Sequence, residues 1–550
     1  MIAFRVYLVI GFFVLLAVAM GTRVVFLHVF EKDFLQDQGD ARTIRMERIN
    51  AHRGMILDQK GKPMAVSSPV VSLWANPAEL IASGEGMEQL ALLLEVAPAE
   101  FNNRLEKNSQ QTFVYLRRHL PPQVAEKILS YHIAGVYAEK EYHRFYPAGE
   151  VAAHVVGFTD INDKGQEGVE LAYDDWLQGT PGKKKVLKNL YGDIVRDIKP
   201  ILEASPGQNI ELSVDLRLQY LAYRELKSAI QYNNAVSGSV VILDVATGAI
   251  LALVNQPSYN PNNRLGLNLA AVRNRAVTDV FEPGSTVKPF TVATALQSGQ
   301  YTPESTIDTS PGFVKVGSKT IPDPSNYGVL DLGGIIEKSS QVGITKLALS
   351  LNEYDVWEMF SAVGFGKSTD IGFPGERSGF LPSHRRWKDI ERATFAYGYG
   401  LTVTPLQLAS AYLTIASGGL KRQLSLVNNS AVSEVRVFEK KTADDVMRML
   451  RRVTSKGTGS RAAMEAYTVA GKTGTVRKVG EDGYEDTRHM AFFAGITPAV
   501  NPRLVGVVMI NEPKGKDYGG GAIAAPVFSK IMAGALRLLN VPPDDLDEAA

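Results

Sequence analysis

Ser285 and Lys288 stand three residues apart in the segment Phe281-Glu282-Pro283-Gly284-Ser285-Thr286-Val287-Lys288-Pro289-Phe290. Pro-Gly followed by Ser reads as a helix start with Ser285 at or beside the N-cap. Pro289 agrees, because first-turn residues need no intrahelical N–H partner. Residues three apart share a helix face and can touch. A hydroxyl is a poor nucleophile until a base takes its proton, and a lysine can be that base once desolvation or a nearby cation leaves it neutral. A helix N-terminus also turns a backbone N–H toward a developing oxyanion. Alone, the pair reads first as an N-cap serine beside a solvated lysine, because S-x-x-K is a common spacing.

Two further segments bear on that choice. Ala470-Gly471-Lys472-Thr473-Gly474-Thr475 lies in an apolar strand pattern that begins at Tyr467. Two glycines weaken a strand, so they suggest a close backbone approach by a ligand. Lys472, Thr473, Gly474 and Thr475 would present a cation, hydroxyls and backbone to a substrate carboxylate, with the Thr475 N–H as a second oxyanion donor. The plainer reading is an edge strand carrying Lys for solubility. Between these segments lies Lys338-Ser339-Ser340-Gln341-Val342-Gly343, which by itself reads as a polar helix-start turn.

Taken together and in this order, the three segments resemble the S-x-x-K, S-x-N and K-T-G motifs of the penicillin-binding proteins and serine β-lactamases. Other stretches extend the resemblance to class B penicillin-binding proteins. They are Arg53-Gly54-Met55-Ile56-Leu57-Asp58 with Gly61, Arg144-Phe145-Tyr146-Pro147-Ala148-Gly149, Gly165-Gln166-Glu167-Gly168-Val169-Glu170, Tyr397-Gly398-Tyr399-Gly400, and Thr404-Pro405-Leu406-Gln407. The similarity runs from the N-terminal apolar segment to about Pro526, and within class B it is greatest to the division-specific septal peptidoglycan D,D-transpeptidases. The resemblance implies that Ser285 is the acylated nucleophile, Lys288 its base, and Ser339 a proton relay to the leaving group. It also implies that Lys472, Thr473 and Thr475 hold the terminal carboxylate of the donor stem peptide. It implies cross-linking of septal stem peptides and covalent capture by β-lactam antibiotics. The implied partners are a septal glycan polymerase and other division proteins, with no cofactor. Gln341 departs from the family, which has Asn there. Gln keeps the amide but adds a methylene, which bears on the substrate amide contact and on β-lactam affinity.

Competing readings keep parts of this site. A D,D-carboxypeptidase or β-lactamase would replace the acceptor amine with water, but no segment marks an extra general base, and the long N-terminal region is foreign to β-lactamases. A division scaffold with a decayed site is favoured by Gln341 alone. A β-lactam sensor needs a cytoplasmic effector domain, for which the few residues before Val6 leave no room.

The elements that must position these residues are legible in outline. Asp215 to Ile230 has a helical pattern. Ser237 to Asp244 and Ala249 to Asn255 read as a hairpin around Ala246-Thr247-Gly248. Tyr467 to Val479, Met490 to Ile496 and Leu504 to Asn511 read as three more strands, with turns at Glu481-Asp482-Gly483 and Asn501-Pro502. A long, mostly helical stretch separates the two strand groups. The expected fold class is therefore α/β (α+β), with one central antiparallel sheet assembled from both ends of the domain and flanked by helices. An elongated, β-rich region precedes it. The boundary between them is placed at Ser205-Pro206-Gly207, giving 28–207 and 208–540, with 541–550 as a disordered tail.

With 550 residues the chain exceeds one hydrophobic core, so several domains are expected. Its 59 basic and 58 acidic residues nearly cancel, which argues against a nucleic-acid partner. The absence of cysteine excludes disulfides, thiolate metal sites and a cysteine nucleophile, and the 8 histidines show no metal-ligand spacing. Residues 6–27 are apolar except for Arg23, long enough to span a bilayer, and Arg23 can snorkel. Arg5 places residues 1–5 in the cytoplasm by the positive-inside rule, so the rest is exported, anchored in the cell inner membrane with its bulk in the periplasm. Ala17-Val18-Ala19 offers a signal-peptidase site, but apolar residues continue beyond it, which favours a retained anchor.

Overall fold

The chain begins with an apolar helix, Ile2–Val25, that continues as a π-helical turn, Phe26–Phe30. Together they give an apolar span over Ala3–Phe30 with mean hydropathy 2.3 and none of it buried. At 1.5 Å per residue this is about 40 Å, enough for a hydrocarbon core of about 30 Å and its interfaces. The span extends three residues further at each end than the apolar stretch read from sequence. The computed structural model describes residues 2–35, 44–188, 194–383, 387–428, 433–480 and 483–545. The expected turn residues Glu481 and Asp482, and the last five residues of the expected tail, lie outside them.

Two units follow from the contacts within the chain. The first comprises residues up to 54, 67–143 and 178–208, and the second comprises 55–66, 144–177 and 209–550. The linear boundary at 207 falls beside the last crossing, but it assigns 55–66 and 144–177 to the N-terminal region, whereas they pack within the second unit. The reason lies in long-range polar pairing. Ile56–Leu57 runs parallel to Ile210–Glu211, Asp58 accepts from Leu216 N at 3.2 Å, and Arg144 meets Glu170 at 2.6 Å with both side chains almost wholly buried.

In the first unit, strands Ile44–Ile49, Gly182–Lys188 and Ile194–Leu202 form an antiparallel sheet. Val114–Leu120 pairs with the later part of Pro63–Ala75. Helices Pro77–Ser83, Met87–Leu93, Pro98–Lys107 and Pro122–Leu129 bury Leu80, Leu90, Phe101, Leu105 and Ile128 against Leu73, Leu116 and Leu120.

The second unit is built on five antiparallel strands: β1 (Ser237–Asp244), β2 (Ile250–Gln256), β3 (Ala470–Gly480), β4 (Gly483–Thr497) and β5 (Leu504–Asn511). Their order is β2-β1-β5-β4-β3, so the two ends of the domain meet where β1 pairs with β5. β1 and β2 are buried throughout, as expected of strands covered on both faces. On one face lie α1 (Leu216–Tyr232) and the last long helix, Gly520–Leu538. The latter is apolar enough to resemble a membrane span, but Phe528, Ile531 and Met532 are buried in the same cluster as Phe493 and Val508, which makes it a core helix. The other face carries α2 (Lys288–Gln297), α3 (Leu332–Lys338), α4 (Gln341–Ser350), α5 (Pro405–Ala416) and α6 (Lys440–Ser455).

Two expectations need correction. The stretch between the strand groups holds small two-stranded sheets as well as helices: Thr306–Asp308 with Val329–Asp331, Phe313–Val316 with Lys319–Pro322, and Leu420–Arg422 with Glu434–Arg436. The start of the expected disordered tail is tied down. Tyr467 Oη donates to Val541 O at 2.9 Å, and Thr468 N donates to Asp544 Oδ1 at 2.8 Å.

Candidate active site

Ser285 sits in a single 3-10 turn, Gly284–Val287, that leads directly into α2. Lys288 is the first residue of α2 and Pro289 the second, where a missing N–H costs nothing. The turn is wedged in place: Gly284 N donates to Gly398 O at 3.0 Å, and a Cβ on Gly398 would stand 2.2 Å from Gly284 O. Gly398 has φ +93°, so this approach needs glycine for both reasons. The Tyr397-Gly398-Tyr399-Gly400 segment therefore braces the nucleophile turn. Thr404 and Gln407 cap α5 reciprocally, at 2.8 and 3.1 Å, with Pro405 at its first turn.

The three motif segments converge on one hydroxyl. Ser339 Oγ lies 3.0 Å from Ser285 Oγ, to which it donates. It accepts from Lys472 Nζ at 3.0 Å and from Lys288 Nζ at 3.2 Å. Lys288 Nζ also donates to Ser339 O at 2.5 Å and to Ser340 O at 3.2 Å. Among the described residues no hydrogen bond joins Lys288 directly to Ser285, so the contact expected from their spacing is bridged by Ser339. Ser339 reaches this place as the C-cap of α3 in the left-handed region, φ 57°. Ser340 supplies the helix start that the sequence suggested, its Oγ accepting from Gly343 N at 2.8 Å as N-cap of α4.

Both lysines are wholly buried. Burial, then the positive charge of Lys472, holds Lys288 well below the ordinary lysine range, with the Asp323 carboxylate acting the other way. Burial brings Lys472 down to about 7. A lysine with an accessible neutral form is what proton abstraction from Ser285 requires.

Among the described residues strand β3 is an edge strand, with β4 as its single neighbour in the sheet. Lys472 Nζ is turned inward, onto Ser339 and Thr473 O at 3.2 Å, instead of standing open to solvent. Thr473 Oγ1 pairs with Thr458 Oγ1 at 2.9 Å, and Thr475 Oγ1 accepts from Gly520 N at 2.9 Å on an exposed residue. The glycines of this strand have a different cause from the one expected. A Cβ on Gly474 would lie 1.8 Å from the Phe492 ring, and one on Gly471 would lie 2.5 Å from Phe493, so the glycines admit aromatic rings of β4 and not a ligand. Gln341 is the first residue of α4. Its backbone N donates to Asp323 at 2.5 Å, and its half-buried side-chain amide makes no hydrogen bond among the described residues.

Sequence reasoning missed Asp323, Thr458, Gly520 and the pairing of Glu282 with Tyr484. Each acts through a partner remote in sequence, and none carries a local spacing signal. Among the described residues no group of three or more His, Asp or Glu side chains converges as a metal site.

Residues 238–533 match the penicillin-binding protein transpeptidase domain, and 48–212 match the penicillin-binding protein dimerisation domain. The chain is 44% identical to "Peptidoglycan D,D-transpeptidase FtsI" of Escherichia coli K12, covering 99% of this chain and 93% of the relative. It is 41% identical to "Probable peptidoglycan D,D-transpeptidase PbpC" of Pseudomonas aeruginosa, covering 99% and 97%. Among solved structures it resembles penicillin-binding protein 3 of Mycobacterium tuberculosis complexed with aztreonam, at 26% identity and a TM-score of 0.71 over 90% of this chain and 98% of that one.

Proposed function

Because this chain belongs to the class B penicillin-binding proteins, a dimerisation domain preceding a transpeptidase domain, we propose that it is a peptidoglycan D,D-transpeptidase working through an acyl-enzyme on Ser285. The observation that carries the assignment of residues is the meeting of Ser285, Lys288 and Lys472 on the Ser339 hydroxyl, at 3.0, 3.2 and 3.0 Å.

A serine hydroxyl has one hydrogen to donate and two lone pairs to accept with. When Lys288 is neutral the directions reverse: its two N–H bonds still satisfy Ser339 O and Ser340 O, but its lone pair now accepts the Ser339 Oγ–H that otherwise points to Ser285. Ser339 Oγ is then free to accept from Lys472 and from Ser285. In this arrangement Ser285 Oγ attacks the carbonyl carbon of the D-Ala–D-Ala amide. Its proton passes to Ser339 while the Ser339 proton passes to Lys288. The backbone N–H groups of Ser285 and Thr475 face the developing oxyanion. The amide C–N bond breaks, the relay returns a proton to the leaving amine, and D-alanine departs, leaving an ester.

The amine of a neighbouring stem peptide then attacks the ester carbon. It gives its proton to the same relay, and Ser285 recovers its hydrogen as the C–O bond breaks. One amide is exchanged for another, so no external energy source is needed. A β-lactam acylates Ser285 in the same way, but its ring nitrogen stays tethered to the acyl group and obstructs the acceptor.

The hydroxyls of Thr473 and Thr475 hold the donor carboxylate, and Lys472 supports it with its charge from behind. Gly474 contributes backbone between them. The apolar helix anchors the protein in the cell inner membrane with the catalytic unit in the periplasm, where its substrate lies. The resemblance of its motifs to the septal subgroup supports a place in division, beside a septal glycan polymerase and other division proteins.

Intact-protein mass spectrometry of the full chain after exposure to benzylpenicillin tests the assignment. A single stable adduct that maps to Ser285 and is lost in Ser285→Ala is expected. A wild-type chain that takes no adduct, or a Ser285→Ala variant that keeps it, overturns the reading.

A further inference from the structure

Asp323 lies between Pro322 and Pro324, outside every motif read from the sequence, and is 9% exposed. Its carboxylate is committed to the turn that carries Ser339. Oδ1 accepts from Gln341 N at 2.5 Å and Val342 N at 3.2 Å, and Oδ2 accepts from Ser340 Oγ at 2.5 Å. The first N–H groups of α4 are thus capped by a side chain from a different segment of the chain. Ser339, at the start of this turn, holds a left-handed backbone that a non-glycine residue disfavours. Such a conformation persists only where its surroundings enforce it. Here Asp323 grips the three residues that follow, and Lys288 grips the Ser339 carbonyl.

Asp323 Oδ2 and Lys288 Nζ hold the same residue, Ser340, at its hydroxyl (2.5 Å) and its carbonyl (3.2 Å), so the charge of Asp323 bears on the lysine. Lys288 is faced from β3 by Lys472, which repels its proton, and from the 323 segment by Asp323, which attracts it. The charged residues at the end of α3 are engaged elsewhere: Glu337 pairs with Arg452 at 3.0 Å, and Lys338 with Glu337 at 3.2 Å. Burial, then the charge of Asp323 on the same loop, holds Tyr327 above the ordinary tyrosine range, so it is neutral at physiological pH.

We propose that Asp323 is a positioning residue with two separable effects: it holds the Ser339–Gln341 turn against Ser285, and its negative charge moves upward the pH at which Lys288 becomes able to accept a proton. This inference rests on the acyl-enzyme chemistry proposed above. An opposite charge favours the protonated lysine. Removing it lets Lys288 lose its proton at lower pH, so the rising limb of acylation against pH moves toward acid.

Two variants separate the effects. Asp323→Asn keeps an oxygen for the two backbone N–H groups and an amide that can donate to Ser340 Oγ, but it removes the charge. Asp323→Glu keeps the charge but adds a methylene that displaces the turn. The measurement is the second-order rate of acylation by a fluorescent penicillin, taken across pH on full-length protein in detergent. Asp323→Asn should shift the rising limb to lower pH by about half a unit or more, giving roughly threefold more of the plateau rate at a fixed pH on that limb. Asp323→Glu should leave the limb in place and lower the plateau about tenfold or more, as misplaced catalytic groups do. A limb that stays put in Asp323→Asn, or an Asp323→Glu variant that acylates at the wild-type rate, overturns the inference. A wild-type chain that takes no label at any pH instead overturns the acyl-enzyme reading on which it stands.

Discussion

Tyr484 donates its hydroxyl to the Glu282 carboxylate at 2.9 Å, and Glu282 stands three residues before Ser285. The same carboxylate accepts from Gly400 N at 2.9 Å. The hairpin joining β3 to β4 is thereby tied to the nucleophile turn and to the loop that braces it. Tyr484→Phe removes that tie while keeping the ring against Tyr399. The expected loss is about 1 kcal/mol of local stability, because the bond is partly exposed. Amide exchange in residues 483–489 should become roughly fivefold faster, with acylation falling only a few-fold. Unchanged exchange would mean that the bond does not restrain the hairpin.

The left-handed backbone at Ser339 and its hydroxyl can be tested separately. Ser339→Ala and Ser339→Gly both remove the bridge between Ser285 and Lys288, and both should slow acylation by about 10²–10⁴. Glycine also relieves the backbone strain, so Ser339→Gly should be about 1 kcal/mol more stable than Ser339→Ala and melt higher. Equal melting temperatures would show that the turn carries no strain at this residue.

Acylation requires Lys288 neutral and Lys472 charged, so its rate against pH should be bell-shaped. Lys288 supplies the rising limb. Lys472, at about 7 in the free protein, supplies the falling one. A bound carboxylate favours the charged lysine, so the falling limb should lie at higher pH in kcat than in kcat/KM for a peptide donor. The same burial sets a sign for stability. Both folded-state values lie below the ordinary 10.5, so between about 7 and 10.5 the unfolded chain binds more protons, and stability attributable to these groups rises with pH. Lys472→Met should therefore raise Tm at neutral pH and flatten that rise while abolishing transpeptidation. A lower Tm in this variant would contradict the account.

Gln341 offers a test of substrate contact without cost to the fold. Its backbone is held by Asp323, and its side-chain amide has no hydrogen bond among the described residues. Gln341→Asn should leave stability within about 0.5 kcal/mol of wild type, as for a substitution away from packed features. Its effect should fall on the affinity for penicillin before acylation, with the limiting acylation rate retained. A change confined to the limiting rate would place Gln341 in the chemistry itself.

Arg144 and Glu170 form a buried ion pair at 2.6 Å, with side chains 1% and 0% exposed. Removing the arginine takes this charge-assisted hydrogen bond from a carboxylate in a site closed to water. Arg144→Ala should cost about 3–5 kcal/mol, read as a fall in the denaturant midpoint of the second unit. A loss below about 1 kcal/mol would mean that water or rearrangement rescues Glu170.

What the sequence determined by itself is what short-range physics controls. The strands β1, β2, β3 and β5 announce themselves through apolar runs between turn residues, and Asp215 marks the start of α1 by capping it. Ser285 and Lys288 share a helix start because one turn of backbone places residues three apart on one face. The motif order of Ser285, Ser339 and Lys472 carried the family likeness. Gly471 and Gly474 were visible as anomalies in a strand, but their cause, the rings of Phe493 and Phe492, lies on the neighbouring strand. Only the tertiary structure decided that Ser339 stands between Ser285 and Lys288, that Asp323 holds its turn, and that 55–66 and 144–177 belong with the second unit. Those outcomes depend on burial and on hydrogen bonds between residues far apart in the chain. Local spacing has no term for either, because the energies that select them exist only once the packed interior has excluded water.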